Sequence, residues 1–236
     1  SASTEDQLNQ ILEKAKGELN STVENFKKGL TKPNEEEAKK LAALVKQASE
    51  ELKKLEQALA EVNQYPELSE NDLDYRVQKK YIWDDSKKVA PAKMQAFKNL
   101  LEKGGYTEQD LQKFIDDFIY YQIHAQIEKM TRQVATYRAK YPNITSLEKE
   151  FESGIKQTWD KNYGTLEGKV LKNYFETGFR PAFNKIQQIV AIQEALNKLD
   201  DETKTVPDGA KLTGEAGKAY NETRTYAKEV VDESKK

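Results

Sequence analysis

The stretch from Thr107 to Tyr141, TEQDLQKFIDDFIYYQIHAQIEKMTRQVATYRAKY, predicts one uninterrupted helix, and few folds can accommodate it. Leu111, Ile115, Phe118, Ile123, Ile127, Met130, Val134, Tyr137 and Tyr141 recur at helical spacing, which lays an apolar face along the whole segment. Thr107 is placed to cap the first turn. Asp110 stands where a capping box puts its acidic partner, and Tyr106 with Leu111 can form a hydrophobic staple. Pro142 ends the helix because it disfavours helical geometry at Tyr141. At 1.5 Å per residue the segment would be roughly 50 Å long, so its packing partners must also be long helices.

The rest of the chain supplies such partners. Leu8, Ile11, Leu12, Ala15, Leu19, Val23, Phe26 and Leu30 form the stripe of a first helix that opens at Thr4. Thr31-Lys32-Pro33 makes the turn. A second helix then carries Leu41, Leu44, Val45, Ala48, Leu52, Leu55, Leu59 and Val62, a heptad seam. Glu35–Lys39, Glu36–Lys40 and Glu50–Lys54 are spaced for helical ion pairs on its wet face. Residues 1–64 therefore read as a coiled-coil-like antiparallel hairpin.

Ser69 predicts a short helix starting near Glu70, with a break after it at Asp84-Asp85. Pro91 falls in or near the first turn of a helix that Gly104-Gly105 terminates. Beyond Pro142, Thr145 and Glu148 suggest another capping box, leading Leu147, Phe151, Ile155 and Trp159. Gly164 and Gly168 are expected to weaken the helix locally. Gly178 is expected to end a segment and Pro181 to start a well-buried helix through Leu199. Residues 201–236 read as a loop and a weak helix. No period-two run signals a strand. The predicted class is all-α: an elongated antiparallel helical bundle, with residues 65–200 forming an aromatic-rich bundle on helix 107–141, and all of it one continuous unit.

Composition narrows the function classes. Lys and Arg total 38 against 40 for Asp and Glu, a formal charge of −2. A dedicated nucleic-acid binder needs a surplus of cations to displace phosphate counterions, so the balance argues against that class and no nucleic-acid partner is expected. There are no cysteines, which removes disulfides and thiolate chemistry. No apolar run approaches the length of a membrane span. The small polar start Ser-Ala-Ser-Thr resembles the residues just after the lipid-bearing cysteine of a bacterial lipoprotein, which would give a membrane tether through a lipidated N-terminus. The expected location is extracytoplasmic, periplasmic or cell-surface, in a bacterium.

Chemistry is sparse. His124 is the one histidine, and neither HExxH nor Glu-x-x-His is present, so no metal or cofactor is expected. His124 is expected to pack at the edge of the apolar stripe. Asp84-Asp85, Asp116-Asp117 and Asp200-Asp201 are adjacent carboxylates, but two pairs fall at helix ends, where Asp caps. No catalytic residue is assigned. Two aromatic clusters at breaks between helices say more. Tyr174 to Phe183 reads as a plug closing a bundle end. Tyr75, Arg76, Lys79, Lys80, Tyr81 and Trp83 combine residue types that dominate protein contacts, and form the candidate partner-binding site. The expected function is a non-enzymatic protein-binding module. The alternatives are a ligand-binding or catalytic bundle with a pocket near His124, and an amphipathic lipid-surface binder.

Overall fold

Thr107 and Asp110 close the capping box that their spacing predicts. The Asp110 amide donates to the Thr107 hydroxyl at 3.2 Å, and the Thr107 amide donates to the Asp110 carboxylate at 2.9 Å. Hydrogen bonds from the Thr107 amide, and then from its hydroxyl, hold the Asp110 carboxyl below its ordinary value. The long helix begins there and ends before Pro142. A computed structural model describes residues 4–27, 32–81, 86–158, 167–204 and 214–236. Their helices are α1 (Thr4–Lys27), α2 (Lys32–Val62), α3 (Leu73–Tyr81), α4 (Ser86–Lys103), α5 (Glu108–Lys140), α6 (Ser146–Thr158), α7 (Gly168–Tyr174), α8 (Arg180–Lys204) and α9 (Gly214–Ser234). A π-helical turn, Phe175–Phe179, joins α7 to α8. Among the described residues there is no strand, and the class is all-α.

The chain divides into two compact units, with α3 and α5 contributing to both. The first comprises residues 1–65, 78–129 and 161–173. Its core joins Leu8, Leu12 and Ala15 of α1 to Val45, Ala48, Leu52 and Leu55 of α2. Phe97 and Leu101 of α4 and Leu111, Ile115 and Phe118 of α5 complete it. The Leu/Ala seam of α2 is buried as its spacing requires, and the large rings come from α4 and α5. Phe97 and Phe118 meet edge to face at 5.3 Å between centroids, a preferred geometry for aromatic pairs. Gly104 and Gly105, at φ 75° and 70°, end α4 as glycine allows.

The second unit comprises residues 66–77, 130–160 and 174–236. Here α6 packs on the π turn and α8, and α9 packs on α8. Phe151 of α6 meets Phe179 edge to face, Phe179 stacks on Phe175, and Arg180 lies over the Phe175 ring at 4.9 Å. The aromatic run from Tyr174 to Phe183 is thus mostly core, with Phe175, Phe179 and Phe183 buried.

Several expectations about helix limits are corrected. Gly178 does not end a segment: helix runs on through the π turn, and the Arg180 amide bonds the Phe175 carbonyl five residues back. A Cβ at Gly178 would stand 2.7 Å from the Cβ of Gln157, so glycine is needed for close approach to α6 rather than for a stop. Pro91 sits in the second turn of α4, which starts at Ser86; on this exposed side it costs one backbone hydrogen bond. The short helix starts at Leu73, not near Glu70, because Ser69 and Asp72 close a turn first (Asp72 amide to Ser69 carbonyl, 3.0 Å). Thr145 and Glu148 are each engaged elsewhere: the Thr145 hydroxyl donates to the Lys235 carbonyl, and Glu148 accepts from Arg138.

Candidate functional site

The predicted partner-binding residues lie on or just beyond α3. Tyr75 is half-buried there, while Arg76 and Lys79 are exposed. Lys80 and Tyr81 belong to the last turn of the helix, and Trp83 lies outside the described residues. α3 thus brings Tyr75, Arg76 and Lys79 onto one short helix.

Just before and within its first turn, Asp72 and Asp74 face a guanidinium. Arg138 of α5 pairs with Asp72, with Glu148 of α6 at 2.9 Å, and with Asp74 at 3.6 Å. Asp74 is fully buried, and neither carboxylate oxygen has a hydrogen-bond partner among the described residues. Burial raises its pKa to about 7; Arg138 opposes the rise, and the neighbouring Asp72 and Glu148 add to it. An open cleft of about 320 Å³ adjoins this cluster, walled by Ala135, Ala139, Pro142 and Ile144 and rimmed by Asp72, Arg138 and Glu148. Carboxylates outnumber the guanidinium, so the cleft repels an anion.

The remaining acids and the histidine serve the fold. Asp116 accepts the amides of Gly168 at 2.8 Å and Lys169 at 3.1 Å, capping the N-terminus of α7. Asp117 pairs with Lys93 at 3.4 Å, and burial lifts its carboxyl above the usual range. Asp200 receives two bonds from Arg224, at 3.0 and 2.8 Å. Asp84-Asp85 lies outside the described residues. His124 is 3% exposed, with the Tyr120 ring 4.6 Å away between centroids, and burial pushes its pKa down to about 3. It is a neutral packed side chain at ordinary pH. Glu128 and Arg132 of α5 are buried at 6% and 5% exposure. The middle of α5 is enclosed on most of its circumference.

Among the described residues, exposed lysines recur seven residues apart on two helix faces whose sequence pattern reads as ordinary solvated surface. On α6, Lys149 and Lys156 are exposed seven residues apart, flanking Ser153 in an open depression of about 420 Å³. Both are engaged: Lys149 donates to the Lys236 carbonyl at 2.9 Å, and Lys156 pairs with Glu152 at 2.9 Å. On α2, Lys39, Lys46 and Lys53 are exposed at successive intervals of seven, opposite the buried seam. Lys40 and Lys54 flank that row, pairing with Glu108 at 2.9 Å and Glu51 at 3.4 Å rather than with Glu36 and Glu50. Lys39 pairs with Glu35 at 3.3 Å as expected, and among the described residues no carboxylate forms an ion pair with Lys46 or Lys53. The seven-residue interval was the available signal.

Residues 40–199 match the family model described as a GAG-binding domain on a surface antigen. The chain belongs to that family. The match takes in most of α2, all of α3 to α7, and α8 almost to its end, so it includes Lys46, Lys53 and the α6 lysines. No solved structure matches the chain. Among the described residues, no helix is long and apolar enough to cross a membrane.

Proposed function

We propose that the domain is a non-enzymatic binding module of a surface antigen and that its partner is a glycosaminoglycan. The observation that carries this reading is the family match over residues 40–199. The protein partner expected from the Tyr75 to Trp83 cluster gives way to a carbohydrate. The chemistry is compatible: a glycosaminoglycan is a linear chain dense in sulfate and carboxylate, and exposed lysines bind such a polyanion by releasing its condensed counterions. Binding of this kind needs no general acid, nucleophile or metal. His124 fits no catalytic role in this reading, being neutral, enclosed and absent from the lining of the two clefts described above. The surface-antigen description supports a place at the cell surface over the periplasm.

The test is retention of the whole chain on immobilised heparin, then titration with heparin, chondroitin sulfate and a neutral dextran across a salt series. The expected result is binding to one or more sulfated chains, none to dextran, and an affinity that falls log-linearly with salt. A chain that passes all three polymers unretained at low salt would rule the reading out. Preferential binding to anionic lipid vesicles would favour the lipid-surface alternative.

A further inference from the structure

We propose that the lysine row of α2 is the track on which the sulfated chain lies, extended along the helix axis. The inference rests on the glycosaminoglycan reading and names its site. Lys32, Lys39, Lys46 and Lys53 succeed one another at intervals of seven. Seven residues advance a helix by about 10.5 Å and rotate it by only about 20° from a full repeat. Lys39, Lys46 and Lys53 therefore stem from a nearly straight line about 21 Å long. A straight row of cations suits a linear polyanion, whose charges repeat along its length. A compact phosphate would call for converging donors instead.

The row is available and it is rigid. Lys46 and Lys53 form no ion pair among the described residues, Glu56 acting on Lys53 only at longer range, and the Lys39 side chain remains 65% exposed beside Glu35. Exposed pairs of that sort contribute little, so a polyanion displaces them readily. On the other side of the same helix, Val45, Ala48, Leu52 and Leu55 are fully buried. The lysine stems thus stand on a packed backbone that binding does not have to order. Competing cations are less suited: α6 displays two exposed lysines rather than a row of three, and Arg138 is outnumbered by carboxylates. Glu50 interrupts the row, exposed between Lys46 and Lys53. On this proposal it weakens binding and tunes it.

The experiment uses the whole chain, intact heparin and heparin oligosaccharides of increasing length. Three variants are compared with the wild type: Lys46→Ala/Lys53→Ala, Glu50→Gln, and Lys149→Ala/Lys156→Ala as the α6 control. Circular dichroism verifies that each is folded. The α2 double variant should bind heparin about tenfold more weakly at physiological salt, with a salt slope shallower by roughly two ions. Glu50→Gln should bind more tightly, the α6 control should match the wild type, and affinity should rise with oligosaccharide length until the row is covered. If the wild type binds heparin but the α2 double variant keeps its affinity and slope, or the α6 control loses as much, the track is wrong and the family reading stands. If the wild type binds no sulfated chain, the reading itself fails.

Discussion

Gly168 lies so close to Asp116 that a Cβ built on it would stand 2.2 Å from the Asp116 backbone carbonyl oxygen, while its amide donates to the Asp116 carboxylate at 2.8 Å. One residue of α5 therefore caps α7 and fixes how near α7 approaches. Gly168→Ala should destabilise the protein by about 2 kcal/mol or more, since backbone and not a yielding side chain must move. Asp116→Asn keeps an acceptor and should cost about 1 kcal/mol. Urea unfolding of both variants checks the order, and a silent Gly168→Ala would mean that the two helices are spaced more widely.

Asp74 predicts a pH dependence with a definite sign. Its proton is held to about pH 7 in the folded state, against 3.8 for the free side chain. Its contribution to stability is complete below about pH 4 and is lost as the pH rises through 7. Asp74→Asn removes that loss. Relative to the wild type, the variant should gain up to roughly 4 kcal/mol between pH 4 and pH 7.5. Unfolding free energies at four or five pH values measure it; a constant difference would show that Asp74 ionises normally.

Arg132 is a second discriminating position. It is 5% exposed and partnered, so Arg132→Ala should cost about 1–3 kcal/mol, where a solvated arginine would cost almost nothing. Phe118→Ala, which empties a fully buried site against Phe97, should cost about 3–5 kcal/mol. Thermal and urea unfolding together check both.

Arg76→Ala should leave stability within about 0.5 kcal/mol, because the side chain is exposed on α3. That makes it a clean probe of binding. On the α2 track its heparin affinity should equal that of the wild type, and a loss comparable to that of Lys46→Ala/Lys53→Ala would move the contact toward α3.

Features set by neighbours in sequence were legible in advance. The Thr107–Asp110 box, the Gly104-Gly105 stop and the α2 seam each depend on residues within a few positions, and each is present. What escaped is set by residues far along the chain. Gly178 and Gly168 read as a stop and a weak point, yet Gln157 opposes the first, and the α5 backbone at Asp116 and Tyr120 opposes the second. The burial of Glu128 and Arg132 left no trace in the pattern, because periodicity describes one helix and not how much of it is enclosed. The lysine row was hidden by averaging: a chain-wide charge of −2 conceals three exposed lysines in line on one helix.

The π turn has a consequence for how this sequence tolerates length changes. Its five-back bond takes up one residue more than an ordinary helical turn holds. Deleting a single residue between Phe175 and Phe179 would leave an ordinary turn with α8 still in phase, whereas a regular helix through all five residues would swing everything from Arg180 onward by about 100°. Phe183, Ile186 and Val190 would then turn out of the core, and the exposed Lys185 would turn in. The π turn thus acts as the phase setting of α8, and it marks the place where the chain can lose one residue without rotating the helix that follows.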